Sequence, residues 1–194
     1  NRDPAEGYYV DKQIRTVKLD GVKAGGNILE VHIPYHANVN VEAMYLLGDF
    51  GVKVRGCTAV LTESVRELAF GDICTQGLPF YGGNLTLHMP VEIRQDGTLS
   101  VWVTKFRNPL IEVTLNGTEK RKIFKSPCRA EFEGVKKGSC ELALKVFGNR
   151  KNTFGQLHNC SDTQTWCGPD AWRTTGENWA YEYQLTQTGI LVSP

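Results

Sequence analysis

The sequence predicts an all-β protein, an antiparallel β-sandwich of jelly-roll type preceded by a partial second sandwich unit. Three observations carry this. Apolar residues recur at alternate positions in short segments bounded by Gly, Pro, Asn or Asp, which is how a strand reads when one face lies in a core. Helical spacing is weak everywhere except residues 63–68. The stretch Leu19-Asp20-Gly21-Val22-Lys23-Ala24-Gly25, leading into Ile28 to Ile33, recurs as Phe132-Glu133-Gly134-Val135-Lys136-Lys137-Gly138, leading into Glu141 to Val146. Self-similarity of this kind marks one structural unit present twice.

Strands are expected, in order, at residues 14–19, 27–33, 44–47, 52–61, 85–93, 99–105, 111–115, 141–147 and 179–185. Each is rich in the β-branched, aliphatic and aromatic residues that suit a pleated, half-buried surface. Residues 27–33 and 141–147 follow the repeated Gly-Lys turn and should share its local geometry. In Leu99-Ser100-Val101-Trp102-Val103-Thr104, alternation places Leu99, Val101 and Val103 on one face and Trp102 on the other. Asp96-Gly97 and Asn116-Gly117 read as hairpin turns, because Gly accepts the positive φ such turns require. Residues 63–68 suggest a turn or two of helix between the units. The boundary is therefore set there: residues 1–62 form the C-terminal half of a preceding sandwich with its connecting strand, and residues 63–194 a sandwich of their own. A half sandwich exposes an open apolar face, so residues 1–62 should pack on the second unit or be completed by further chain.

With 194 residues, 41% of them hydrophobic and 10% aromatic, the chain can bury a full core. Its net charge is +1, and no basic cluster is longer than Lys120-Arg121-Lys122, which argues against nucleic acid or an anionic membrane as partner. No apolar run approaches the roughly 18 residues a spanning helix needs. Asn1-Arg2-Asp3-Pro4 lacks the charged-then-apolar pattern of a secretion signal, so an export signal, if the protein has one, lies further upstream. The six cysteines are irregularly spaced; Cys160 and Cys167 are near enough for a local bridge, with buried or free thiols as the alternative. No Cys-x-x-Cys pair occurs, which argues against a structural zinc site. Asn84, Asn116 and Asn159 head glycosylation triplets that matter only in a eukaryotic secretory protein.

Four features, in order along residues 70–155, resemble the galactose-binding-like jelly-roll domain that large bacterial glycosidases, including family two enzymes, carry as a sugar-binding domain. They are Phe80-Tyr81-Gly82-Gly83-Asn84-Leu85-Thr86-Leu87, Ile111-Glu112-Val113-Thr114-Leu115-Asn116-Gly117, Ser126-Pro127-Cys128 followed by the turn at Gly134 to Gly138, and the strand from Glu141 running to Asn152. The resemblance implies a non-catalytic accessory domain of a bacterial polysaccharide-degrading enzyme. Its partners would be a glycan and the neighbouring domains of that enzyme, its setting secreted or cell-surface. No cofactor is implied beyond a structural calcium, which no Asp-rich loop locates.

Aromatic faces stack on the apolar faces of pyranose rings, while amides, guanidinium and carboxylate groups bond the hydroxyls. The densest aromatic segment runs from Trp166 to Arg173, with Trp179, Tyr181 and Tyr183 following. Trp166 and Trp172 are the candidate platform, and Asp170 and Arg173 the candidate hydroxyl contacts. Trp179, Tyr181 and Tyr183 alternate, so they share a face and read first as core or inter-domain packing. Tyr81 is a rim candidate, although packing under the first strand is the plainer reading. Asn149, Arg150 and His158 lie in loops and suit hydroxyl recognition, or are simply solvated. A hydrolase needs two carboxylates at fixed separation. Asp162, Asp170, Glu177 and Glu182 are present, but no pairing is set by their positions. Three readings thus remain: a carbohydrate-binding domain, a structural domain buttressing a glycosidase, and hydrolysis within the chain itself.

Overall fold

The computed structural model describes residues 7–37, 39, 43–161, 163 and 175–194. The chain divides into two compact units, Asn1–Leu46 and Leu47–Pro194. Residues 51–62, expected with the first unit, fall in the second.

In Leu47–Pro194 the strands are β3 (Gly51–Arg55), β4 (Thr58–Thr62), β5 (Leu85–Ile93), β6 (Gly97–Trp102), β7 (Ile111–Leu115), β8 (Glu119–Ile123), β9 (Arg129–Val135) and β10 (Gly138–Val146). They build an antiparallel sandwich. One sheet has the order β5-β10-β7-β8 and the other pairs β6 with β9, while β3 and β4 form a separate hairpin. β10 is central in the larger sheet, pairing with β5 from Ile93 to Leu85 and with β7 from Leu115 to Ile111. Its alternate residues Leu142, Leu144 and Val146 face the interior and are essentially inaccessible, as are Ile111 and Val113 of β7 and Phe132 of β9. These side chains from both sheets make one core. Burying each such chain contributes about 1.5–3 kcal/mol.

Arg121 ties the sheets at one edge. Its guanidinium lies 5.2 Å from the centre of the Phe132 ring, and its Nε donates to the Glu131 carbonyl at 3.0 Å. The last residues close another edge. Ile190 bridges to Phe106, Leu191 N donates to Lys105 O at 2.9 Å, and Gly71 N donates to Ile190 O at 2.7 Å. Ile190 thereby plugs the core at 1% exposure.

Several expectations hold. β5 and β7 coincide with the segments read from alternation, and β10 begins slightly earlier than expected. Val101 and Val103 are buried, whereas Trp102 on the opposite face is 47% exposed under the guanidinium of Arg129. Asn116 and Gly117 both have positive φ and join the paired strands β7 and β8, as a hairpin of this type requires.

Others need correction. Asp96-Gly97 is not a hairpin turn, because β5 and β6 lie in different sheets and the chain crosses between them there. Residues 52–61 are not one strand: Gly56, at φ 59, turns the chain into the β3–β4 hairpin. Residues 63–68 are not helical; among the described residues the short helices are the 3-10 turn Ile73–Gln76 and α1 (Lys151–Phe154). Residues 179–185 form an isolated bridge from Trp179 to Asn159 rather than a strand. Cys57, Cys74, Cys128, Cys140 and Cys160 are free thiols, so the local bridge from Cys160 is not made.

In the unit Asn1–Leu46, β1 (Gly7–Tyr9) pairs antiparallel with β2 (Asp11–Thr16), displacing the strand expected at 14–19 toward the N-terminus. Neither residues 27–33 nor residues 44–47 are in a strand. The two copies of the repeat therefore differ in conformation after the turn. They agree within it: Gly21 and Gly134 have φ of 77° and 67°, and Gly25 and Gly138 have 93° and 134°. What closes the two turns is different. Asn27 uses its own amide, accepting from Lys23 N at 3.1 Å and donating to Lys23 O at 2.8 Å. The Lys136-Lys137 turn is held from outside by Asp96, which accepts from Lys137 N at 2.8 Å and from the Lys136 ammonium at 2.9 Å.

Candidate functional site

β5 begins, β10 ends and β7 begins at the same end of the sandwich, because Val146 is in register with both Leu85 and Ile111. The loops attached there must therefore meet. Asn84 Oδ1 accepts from Gly148 N at 3.1 Å, Asn108 Nδ2 donates to Phe147 O at 2.9 Å, and Asn149 Nδ2 donates to Arg107 O at 3.2 Å. The approach is close enough to demand glycine: a Cβ on Gly148 would collide with the carbonyl oxygens of Gly82 and Gly83. Thr153 at the end of α1 donates its hydroxyl to Phe80 O at 2.8 Å, fixing the Phe80-Tyr81 loop against the loop after β10.

Tyr81, Asn149 and Arg150 are brought together by this packing. Tyr81 is 40% exposed, and its hydroxyl donates to Asn84 O at 3.1 Å. Asn149 is half-buried and spends both amide atoms on the backbone, at Arg107 O and at Lys151 N, the latter at 3.0 Å. Its role is to shape the loop. Arg150 is exposed and stands at the N-terminal boundary of α1, its carbonyl accepting from Phe154 N at 2.9 Å.

His158 lies in a row of rings that starts from the same loop. Phe80 meets Tyr183 edge-on at 5.4 Å between centres, Tyr183 lies 5.0 Å from His158, and His158 lies 6.0 Å from Trp179. Trp179 meets Tyr181 edge-on at 4.4 Å. The row is held by backbone pairing of 157–160 with 178–184: Ala180 N donates to His158 O at 2.9 Å and Gln184 N to Leu157 O at 2.6 Å. His158 Nδ1 bonds Ala180 O at 3.0 Å, which leaves Nε2 as the nitrogen available to a ligand. Trp179, Tyr181 and Tyr183 do not share a strand face as their alternation implied; they join one row of rings through His158, and none of them belongs to the core. Trp179 and Tyr183 are half-buried and Tyr181 is 73% exposed. Trp166, Asp170, Trp172 and Arg173 lie outside the described residues, as does Asp162.

Beside this end is a polar knot that sequence reasoning missed. Asp72 Oδ1 accepts from Cys74 N and Thr188 N, each at 3.1 Å, and Asn152 Nδ2 lies 3.3 Å from Cys74 Sγ. Burial, reinforced by the Asp72 carboxylate, pushes the Cys74 thiol up to about 12, so it is not a thiolate nucleophile at neutral pH. No spacing in the sequence signals this cluster, since Asn152 and Thr188 lie far along the chain from Asp72 and Cys74.

At the other end of β10, an open hollow of about 430 Å³ is lined by residues including His88, Pro90, Asn116 and Glu141. None of the sequence candidates borders it. Among the described residues, no three His, Cys, Asp or Glu side chains gather where they could hold a metal ion, and no helix is long and apolar enough to cross a membrane. The chain matches no family model, no curated protein and no solved structure.

Proposed function

We propose that this chain is a non-catalytic, galactose-binding-like jelly-roll domain from a bacterial carbohydrate-active enzyme, serving as an accessory carbohydrate-binding domain. The supporting observation is the row of rings Tyr183, His158, Trp179 and Tyr181, which starts at Phe80, with Tyr181 largely exposed. An exposed ring offers a flat apolar face to the C–H face of a sugar, and the His158 imidazole in the same row suits its hydroxyls. Trp166 and Trp172, with Asp170 and Arg173, which lie outside the described residues, remain the proposed sugar-contacting residues from the sequence.

A second reading, a structural domain buttressing a neighbouring catalytic domain, draws on the half-buried packing of Tyr183 against Phe80 and His158. Affinity electrophoresis in gels cast with plant and host polysaccharides separates the two. Binding retards the wild type, and Trp172→Ala and Tyr181→Ala reduce that retardation. Absence of retardation on every glycan favours the structural domain.

A further inference from the structure

The end of the sandwich away from the aromatic row gathers polar side chains from β5, β10 and the turn between β7 and β8. In the register of β5 with β10, His88 stands opposite Ala143 and Pro90 opposite Glu141, all on the face turned away from the core. Ala143 is small, and the His88 imidazole reaches diagonally past it to Glu141, with Nδ1 2.5 Å from Oε1. Asn116, in the turn that joins β7 to β8, comes in from the other side of β10: its Oδ1 accepts from Glu141 N at 2.9 Å. His88, Asn116, Ser139 and Glu141 line the hollow of about 430 Å³, with Met89 and Pro90 supplying apolar lining.

Three of these groups are each positioned through one atom and keep another without a partner among the described residues. Asn116 is held through Oδ1, so its Nδ2 can donate; Glu141 is engaged through Oε1 and keeps Oε2 to accept; His88 is engaged through Nδ1 and keeps Nε2. The imidazole and the carboxylate are both more than half exposed, so their spare atoms are open to a ligand. The chemistry of the lining sets what that ligand is. No lysine or arginine lines the hollow, which disfavours an anion, and no phenylalanine, tyrosine or tryptophan lines it, which disfavours a stacked ligand. A metal ion lacks its ligand set, since His88, Cys140 and Glu141 are not among any three such side chains gathered to hold one. A donor beside an acceptor suits adjacent hydroxyl groups, each of which gives one hydrogen bond and takes another.

We propose that this hollow is a second carbohydrate site, one that takes a single neutral sugar unit by its adjacent hydroxyls and without stacking. The assignment rests on the carbohydrate reading of the chain and adds a site that the aromatic row does not share. Glu141 Oε2 accepts from one hydroxyl, Asn116 Nδ2 donates to its neighbour, and His88 Nε2 bonds a further one. The carboxylate carries most of the affinity, because a hydrogen bond to a charged acceptor is stronger than one between neutral groups. Every such bond replaces one to water, so a single sugar binds weakly, with a Kd on the order of millimolar.

The test titrates the full chain, isotopically labelled, with the methyl glycosides of glucose, galactose, mannose and xylose in turn, and follows the His88 ring nitrogens and the Asn116 side-chain amide by NMR. At least one glycoside should shift both signals to saturation. Glu141→Gln keeps an acceptor for the imidazole but puts a donor where the free acceptor stood. It should weaken that binding by about tenfold, while the backbone amide signals of β5 and β10 stay in place and show that the fold is kept. Unshifted His88 and Asn116 signals with every glycoside overturn the proposal, as do shifts that Glu141→Gln leaves intact. Shifts that fall only on Trp179 and Tyr181 overturn this site and leave the carbohydrate reading standing. Shifts nowhere, with no retardation in polysaccharide gels, overturn both.

Discussion

Asn152 grips Thr186 by both of its backbone groups: the Asn152 Nδ2 donates to the Thr186 carbonyl at 2.8 Å, and its Oδ1 accepts from the Thr186 amide at 3.0 Å. A side-chain amide thereby replaces the neighbouring strand that Thr186 lacks. The grip fastens the C-terminal segment to α1, close to the loops that carry Tyr81 and Arg150. Asn152 is 5% exposed, so water cannot take over either bond.

Asn152→Ala should therefore cost about 1–3 kcal/mol, the penalty of leaving the Thr186 amide unpaired, since the Thr186 carbonyl keeps the Thr188 hydroxyl at 3.3 Å. Urea denaturation would show the lowered midpoint. Because Thr188 and Ile190 follow immediately, exchange at Gly71 and Ile73, whose amides donate to Ile190 O and Thr188 O, should quicken as well.

Asp96 reaches from the crossing between sheets to the Lys136-Lys137 turn, and the Lys137 amide and then the Lys136 ammonium hold its carboxyl below the ordinary aspartate value of 3.8. A folded-state value below the unfolded one stabilises the fold at pH values above the ordinary aspartate range, and that contribution is lost as pH falls through the folded value. The site is fully exposed, so the effect is small. Asp96→Asn should lower the denaturation midpoint near pH 7 and make progressively less difference below the ordinary aspartate range. A difference that persists unchanged into strong acid would contradict this account.

The thiols give a graded chemical readout. Cys57 and Cys160 are exposed, whereas Cys74 is pushed up to about 12, and burial followed by the Glu92 charge raises Cys140. Since the thiolate is the reactive form, iodoacetamide at pH 8 should label Cys57 and Cys160 well before Cys74 or Cys140, as peptide mass mapping would reveal. Asn152→Ala should bring Cys74 forward in that order by loosening the segment over it.

Where alternation was strong, the strands were legible. Leu85 to Ile93 and Ile111 to Leu115 are β5 and β7 because each places an unbroken row of apolar side chains on one face. β8 escaped notice because Glu119-Lys120-Arg121-Lys122 contains no apolar residue. Its inward position is filled by Arg121, whose guanidinium covers Phe132 while its Nε bonds across to the other sheet. β9 was not among the strands read from alternation for a related reason, since only Ala130 and Phe132 are buried within a run of charged residues. Local pattern cannot reveal that a partner sheet makes up the difference.

The site was legible in part. That Tyr81, Asn149 and Arg150 lie in loops follows from where β5 begins and β10 ends, but their meeting depends on the register of β10 with β5. Asn149 shows the limit of reading residue type: its amide suited a hydroxyl, and both its polar atoms are engaged with backbone. For Trp179, Tyr181 and Tyr183 the shared face read from alternation presumed a strand that does not form; their row through His158 and their exposure depend on the pairing of 157–160 with 178–184, which no local pattern encodes.

The central claim is that the aromatic end of the sandwich binds carbohydrate, and affinity electrophoresis of wild type beside Tyr181→Ala and Trp172→Ala tests it most directly. The account predicts retardation of the wild type on at least one polysaccharide, with each substitution weakening it by about 1–3 kcal/mol, the usual weight of an aromatic anchor, and with urea midpoints unchanged. Unretarded migration of the folded wild type on every polysaccharide would contradict it, as would retardation that both substitutions leave intact.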